Sequence, residues 1–328
     1  DREPPYAALV ERGGEDPALE AAARRDIETF TLLAELDWDQ VLAEVGGKAP
    51  REYGPVLANL PRWRGSSPFS FAELTEFYRA NGAGLFARHR AFLWEDGALC
   101  PVEQPDCPGA DEMLGYELQR NRVIANTRAM LEGNLVNNVL LYGDSGTGKS
   151  ATVKNLLPLP GFEALRLIEV QKEGLADLPR LIRTLGGRRL KFILFIDDLA
   201  FDQDDKTYSA LKTILEGGLE RRPANVAVYA TSNRRRLVRQ TFSDRAGDEV
   251  DASETIQEKT SLSDRFGLRI PYLALNQAEF LELVEGMAEQ AGIALDRDSL
   301  RAEAVKWEMR NPGRTPRTAK QFIASLSV

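Results

Sequence analysis

The sequence predicts an α/β protein: a five-stranded parallel sheet covered by helices, preceded by a mainly helical segment and followed by a small helical one. Three observations predict it. Between residues 139 and 275, short apolar runs alternate with stretches of helical spacing, and the runs are apolar at successive positions, as strands buried on both faces must be. Upstream and downstream of that region the spacing is helical, with no comparable runs. One run, residues 139–142, leads into Gly143-Asp144-Ser145-Gly146-Thr147-Gly148-Lys149-Ser150 and then a helical stretch, 151–157. That succession is the order of a phosphate-binding loop.

Taken from the start, the first fifteen residues have no clear periodicity. Asp16-Pro17 then offers a capping carboxylate before a proline at the first helical position. Leu19, Ala23, Ile27, Phe30 and Ala34 follow at near 3.6-residue spacing, which predicts an amphipathic helix. A short helix over 38–45 ends at Gly46-Gly47-Lys48-Ala49-Pro50, and residues 51–68 read as irregular. Helical spacing resumes over 69–81, and 85–93 fits a helix or a strand. The aromatic residues Phe69, Phe71, Phe77, Tyr78, Phe86, Phe92 and Trp94 recur at intervals that suit a small helical core.

Residues 95–112 are rich in Pro, Gly and Asp and read as a connector, and 118–131 as a helix leading to the loop. Beyond the loop the order is strand 165–170, helix 178–185, strand 191–196, helix 208–219, strand 226–230 and strand 268–275. Phe280, Leu283, Val284, Met287, Ala288 and Ala291 then keep helical spacing, with a stop at Gly292. A helix near 299–309 follows, and Thr315-Pro316 opens a last one. The expected domains are 1–110, a mainly helical accessory domain; 111–276, the loop-bearing core; and 277–328, a helical lid.

The chemistry starts at the loop. Glycines allow successive backbone N–H groups of Gly143, Asp144, Ser145, Gly146, Thr147 and Gly148 to curl round an anion. The helix opening at Lys149, Ser150 and Ala151 adds its positive dipole end. Lys149 would reach the outer phosphates of a nucleoside triphosphate, and the Ser150 hydroxyl would hold Mg²⁺. The run Phe192-Ile193-Leu194-Phe195-Ile196 ends in Asp197-Asp198. Beside a phosphate loop the first Asp belongs to the magnesium shell, and the second can orient or deprotonate an attacking water. Val226-Ala227-Val228-Tyr229-Ala230-Thr231-Ser232 ends in Asn233, whose amide can hold that water or the terminal phosphate from the other side.

Composition excludes several alternatives. No apolar run approaches the ~20 residues a membrane helix needs, and no secretory signal is visible. The lone histidine, His89, and two cysteines, Cys100 and Cys107, cannot supply four zinc ligands. One histidine also removes most His-based catalysis. The two cysteines read as free thiols of a reducing, cytoplasmic setting. Residues 1–134 carry 14 Lys/Arg against 23 Asp/Glu, a net of −9, which argues against a nucleic-acid-binding front domain.

In this order the three elements resemble the AAA+ ATPases, with Walker A at 143–150, Walker B at 192–198 and sensor 1 at Asn233. Two further segments are similar. Ser261-Leu262-Ser263-Asp264-Arg265-Phe266-Gly267 resembles the segment that carries the superfamily's arginine finger, which implies that Arg265 reaches the nucleotide of a neighbouring subunit. Arg317 resembles sensor 2, with Arg314 as the substitute. The chain is most similar to a bacterial AAA+ family, domain-of-unknown-function family 815, at Leu114-Gly115-Tyr116, residues 137–150, Ile196-Asp197-Asp198-Leu199, Leu215-Glu216-Gly217-Gly218-Leu219-Glu220, and residues 230–235 and 258–267. The resemblance implies ATP/ADP and Mg²⁺ as ligands, nucleotide contacts from Gly115 and Tyr116, and a homo-oligomer, a ring or open ring. A typical AAA+ Walker B ends Asp-Glu; the Asp197-Asp198 pair instead resembles initiator and helicase-loader ATPases, and the shorter carboxylate is compatible with slow hydrolysis.

The function this implies is Mg-ATP hydrolysis coupled to remodelling or loading a macromolecular partner. The alternative is a nucleotide-gated, DNA-associated loader with little turnover. Arg234, Arg235, Arg236 and Arg239, with Arg221 and Arg222, form a basic cluster that suits either nucleic acid or a subunit interface. A pI near 5.1 and the lack of interleaved aromatic residues favour protein partners. A small-molecule phosphotransferase is disfavoured, because it needs neither Arg265 nor a lid bearing Arg317. Residues 241–260 read as a loop.

Overall fold

Seven strands hydrogen-bond into one sheet in the computed structural model, which describes residues 3–35, 37–48, 50–59, 70–109, 113–200, 211–212, 214–215, 222–233, 262–311 and 313–326. The strands are β1 (Ala91–Glu95), β2 (Ala98–Pro101), β3 (Val139–Gly143), β4 (Leu165–Val170), β5 (Lys191–Ile196), β6 (Val226–Ser232) and β7 (Leu268–Tyr272). Their order is β2-β1-β4-β5-β6-β3-β7, with every neighbouring pair parallel except β1 and β2. All of β6 and five of the six residues of β5 are buried, as apolar runs without alternation require. The chain leaves β3 for β4, three positions away with the places of β5 and β6 between them, and returns to flank β3 with β6 and β7. That crossing point opens a crevice outside the carboxyl ends of the strands.

Contacts divide the chain into two units, Asp1–Ala87 and Arg88–Val328. In the first, α1 (Pro5–Arg12) packs with α2 (Pro17–Glu35) and α5 (Phe71–Asn81), while α3 (Trp38–Lys48) and α4 (Gly54–Ala58) lie between α2 and α5 in sequence. Asp16 caps α2 by accepting from the amides of Ala18 and Leu19. Ser70 and Glu73 form a reciprocal capping box on α5. The Tyr6 hydroxyl meets Thr75 Oγ1 at 2.7 Å, and the Tyr6 and Phe71 rings are 5.2 Å apart. The helix over 5–12 was not legible from spacing, and α2, expected to be amphipathic, buries none of its residues.

The sheet takes in two strands that sequence reading placed in the helical front segment or the connector. Residues 85–93 split into a short helix, α6 (Leu85–Arg88), and the start of β1. Phe92 and Trp94 are buried on β1, which pairs with β4 from Ala91↔Leu167 to Trp94↔Val170. Five strands are therefore extended to seven, and the sheet begins before residue 110. The reason is long-range: pairing with β4 extends a five-residue segment that has no decisive period of its own. Phe77 stays exposed, and Phe69 lies outside the described residues.

The second unit continues with α7 (Glu117–Leu131), α8 (Lys149–Lys154) and α9 (Leu178–Leu185), and ends in α10 (Gln277–Gln290), α11 (Arg297–Arg310) and α12 (Pro316–Leu326). Phe280 and Val284 of α10, Leu300 and Ala304 of α11, and Phe322 of α12 form the core of this helical lid. Each large apolar side chain so buried contributes about 1.5–3 kcal/mol. Asn276 with Glu279 and Asp296 with Ser299 cap α10 and α11. Glu285 on α10 accepts from Arg297, at 2.9 Å, and from Arg301, both on α11; these hydrogen bonds draw its carboxyl down to about 2. Most of the expected helix at 208–219 lies outside the described residues, although Leu211 is buried. Cys100 and Cys107 are free.

Candidate functional site

The carboxyl ends of β3, β5, β6 and β7 bring together segments far apart in sequence. Gly143, the last residue of β3, pairs with Tyr272 at the end of β7, and Asp144 N donates to Tyr272 O at 2.9 Å. Gly143 has φ +133°, and a Cβ there would lie 2.2 Å from Tyr272 O. Any side chain would force the strands apart at the root of the loop. Gly143→Ala should therefore cost about 3 kcal/mol or more, read as a large fall in melting temperature. An unchanged melting curve would show that β7 yields and the close approach is unimportant.

From Gly143 the loop turns back on itself and delivers α8. Thr147 Oγ1 donates to Asp144 O at 2.8 Å, and the Asp144 carboxylate accepts from Ala274 N at 2.7 Å. Lys149, at the first position of α8, is 6% exposed, so its ammonium must find partners. It uses all three donors: Gly143 O at 3.1 Å, Asp144 O at 2.7 Å and Asn233 Oδ1 at 2.9 Å. Burial lowers the Lys149 pKa, opposed by Asp144, Asp198 and Asp197.

Asn233 also donates through Nδ2 to Asp198 Oδ1 at 2.8 Å, linking Lys149, Asn233 and Asp198 in one chain. Asp198 sits at φ +49°, a left-handed conformation that Asp tolerates better than most residues, and its amide donates to Thr231 Oγ1 at 2.9 Å. One oxygen of Asp197 accepts from Ser150 Oγ at 2.6 Å and from Thr231 Oγ1 at 2.5 Å. A hydroxyl and a carboxylate side by side are hard oxygen donors of the kind magnesium takes, with the rest of its shell from phosphate and water. The residues present therefore fit that ion.

A cleft of about 680 Å³ lies over the loop, lined by residues 145–152 together with Asp197, Asn233, Tyr116, Met287 and Arg317. Gly115 lines it too, whereas Gly143 and Asp144 lie behind the loop and act through their carbonyls. Tyr116 holds φ +56° ahead of α7; its hydroxyl donates to Leu273 O at 2.5 Å, and its ring stacks on Tyr272 at 5.1 Å. Thr152 Oγ1 donates to Gly148 O at 3.0 Å, so the Tyr272 hydroxyl, 2.9 Å away, donates to Thr152. Burial raises both tyrosines, Tyr272 to about 12, and keeps them as donors. A relay of aromatic and hydroxyl contacts thus runs from the start of α7 to the last glycine of the loop.

The lid reaches the loop through α12. Arg317 N donates to Gly146 O at 3.2 Å, and a Cβ on Gly146 would come within 3.0 Å of Arg317 Cβ. The guanidinium is 3.5 Å from Ser145 Oγ, the outer limit of a hydrogen bond. Arg314, the substitute, is instead 3.0 Å from Glu308 within the lid. Arg265 does not line the cleft. It lies exposed at the turn before the amino end of β7, about 16 Å of strand from the end that meets the loop.

The basic cluster is largely out of view: Arg221, Arg234, Arg235, Arg236 and Arg239, like residues 241–260, lie outside the described residues. Arg222 is described and is a strut. Its guanidinium donates to Asn138 Oδ1 and, at 2.7 Å, to Val136 O, just before the amino end of β3, the neighbour of β6 and away from the cleft at the carboxyl ends. Sequence reading missed Thr231, Tyr272, Met287 and Lys320 as cleft residues. Thr231 had a signal in the polar tip Thr231-Ser232-Asn233; Tyr272 had none, being one aromatic residue in an apolar strand.

The fold and the site define an AAA+ protein of the P-loop class. The loop ends the strand between β6 and β7, and Asp197, Asn233 and a lid arginine face it. Within that class, the chain belongs to the DUF815 family: the family model described as "Protein of unknown function (DUF815)" matches residues 87–328. No curated protein matches the chain. Among solved structures it is similar to the Thermotoga maritima RuvB Holliday junction branch migration motor, at 16% identity over 66% of this chain and 63% of that one, with a TM-score of 0.42. It is also similar to the Aeropyrum pernix ORC1 protein in complex with DNA, at 17% identity over 63% of this chain and 58% of that one, with a TM-score of 0.44. The chain thus spans less than two thirds of either solved chain.

Proposed function

We propose that the protein binds ATP with magnesium in the cleft over 143–150, hydrolyses it, and uses the cycle to remodel or load a macromolecular partner. One observation carries the reading: Lys149, Asn233 and Asp198 form a continuous hydrogen-bonded chain beside the Ser150–Asp197 pair. Cation, amide and two carboxylates converge where the loop would hold a triphosphate. Ser150 and Asp197 would hold a magnesium ion, which would supply neutralising charge to the bound phosphates. Lys149 turns its donors from the carbonyls and Asn233 to the outer phosphates. Asn233, released from Lys149, and Asp198 hold the attacking water; Asp198 accepts its proton as the water oxygen bonds to the terminal phosphorus and the bond from that phosphorus to the bridging oxygen breaks, releasing ADP. Arg317 meets the terminal phosphate from the lid.

The amino-end position of Arg265 supports a role on a neighbouring copy's nucleotide, because its own loop is at the far end of β7. We therefore expect a homo-oligomer with shared sites. Mixing wild-type protein with increasing Arg265→Ala protein should lower the specific activity of the wild-type fraction. A wild-type fraction with constant activity would remove the shared site. The short Asp198 carboxylate favours a second reading, a nucleotide-gated loader with little turnover. Measuring phosphate release with and without single-stranded DNA separates the two: slow release unaffected by any partner, with tight ATP binding, would favour the loader.

A further inference from the structure

A second cavity, of about 540 Å³, lies on the other side of the segment Leu114-Gly115-Tyr116 from the phosphate cleft. It is a groove between the start of α7, the end of β7 and one face of α10. The two cavities share only Leu114, Gly115 and Tyr116. Its apolar floor is made by Leu114, Leu273, Leu275 and Leu283. Leu118 on its α7 wall is 79% exposed, and Leu273 is 42% exposed. A leucine held in water on a helix of the second unit contributes nothing to the core of that unit. Leucines clustered round a concavity mark an interaction surface.

The rim is of one sign. Glu117, Glu279 and Glu282 line the groove and no lysine or arginine lines it, the nearest cation being Arg120 of the neighbouring cleft, 3.4 Å from Glu117. The contrast with the neighbouring cleft is direct, since Arg120, Lys149, Arg317 and Lys320 all line that one. An apolar floor with three carboxylates at its edge repels phosphates and acidic chains, and it complements an apolar side chain flanked by cations.

We propose that this groove is a docking site for a short segment of another protein, presenting a leucine-sized side chain flanked by lysines or arginines. The leucine fills the space against Leu118, Leu273 and Leu283, and the flanking cations pair with Glu279 and Glu282, because Glu117 already faces Arg120 at 3.4 Å. The cavity accommodates one or two such anchors, which makes this a peptide-sized contact rather than a domain-sized one. The docking stands on the groove's own chemistry and does not depend on hydrolysis at the neighbouring cleft.

The test uses the full chain and two fluorescein-labelled synthetic peptides, a Leu-Leu core flanked by lysines and the same core flanked by glutamates. Anisotropy should show binding of the lysine peptide and none of the glutamate peptide. Leu118→Asp, on an exposed position that leaves the fold intact, should weaken the lysine peptide by roughly tenfold or more, as loss of a contact anchor does. Glu282→Lys should weaken it likewise, whereas Glu303→Lys, an equal charge change on the exposed surface of α11, should leave it unchanged. Equal losses with Glu282→Lys and Glu303→Lys would show attraction to net charge alone and overturn the proposal. So would displacement of the peptide in proportion to bound ATP, which would assign the groove to the nucleotide. Self-association abolished by Leu118→Asp, with no peptide binding, would make the occupant a second copy and also overturn it.

Discussion

Lys149→Ala should abolish nucleotide binding, read as loss of a fluorescent ATP analogue's signal at concentrations that saturate the wild type. The ammonium is held beneath the loop by Gly143 O, Asp144 O and Asn233 Oδ1, within reach of any phosphate the loop amides hold. Charge-assisted hydrogen bonds are each worth about 1.5–3 kcal/mol, so losing two of them to phosphate weakens binding by roughly two orders of magnitude or more. Alanine also takes the Lys149 donor from the buried Gly143 carbonyl, while Asp144 O keeps Thr147 Oγ1; the loss costs about 1–3 kcal/mol of stability. A melting curve must therefore accompany the titration: a folded variant that no longer binds supports the assignment. A folded variant that binds and hydrolyses ATP normally would refute it.

Asp198→Asn should separate binding from turnover. Asparagine occupies the left-handed region at least as readily as aspartate, so the φ of +49° is no obstacle. Its side-chain carbonyl can still accept from Asn233 Nδ2, which preserves the link to Lys149. What disappears is the negative charge that accepts a proton from water. We expect ATP affinity within a few-fold of wild type and turnover lower by roughly 10²–10⁴, the range for loss of a general base. Turnover close to wild type would move the base elsewhere, with Asp197 the nearest carboxylate. If turnover is lost, the variant with ATP bound is also a suitable bait for the macromolecular partner.

Much of this was legible in the sequence, for a physical reason in each case. The five core strands are runs apolar at successive residues, and only strands buried on both faces tolerate that pattern, as β5 and β6 do. The loop was legible because close backbone approach leaves glycine as the only choice at Gly143, where β7 stands 2.2 Å from a Cβ. Lys149, Ser150, Asp197, Asp198 and Asn233 could be placed together because each ends or follows an element whose direction the parallel sheet dictates. The caps at Asp16 and Thr315 were legible because a capping side chain bonds only to its own next turn.

The parts that were not legible depend on contacts between distant residues. β1 is a strand because β4 lies beside it. Its own residues fit a helix about as well. Thr231 and Tyr272 matter because they touch Asp197 and Thr152, 34 and 120 residues away, and no local spacing reports that. Arg222 looked like a member of a basic surface and is a strut across Asn138 and Val136. The groove behind Tyr116 exists only because α10 folds back beside α7. Local backbone geometry and burial pattern are written in short stretches of sequence, so the chain by itself determined the parallel sheet, the phosphate loop and the residues at its mouth. Which cations are free to meet a ligand, how many strands the sheet recruits and where a second cavity opens are set by packing across the whole unit, and only the tertiary structure decided them.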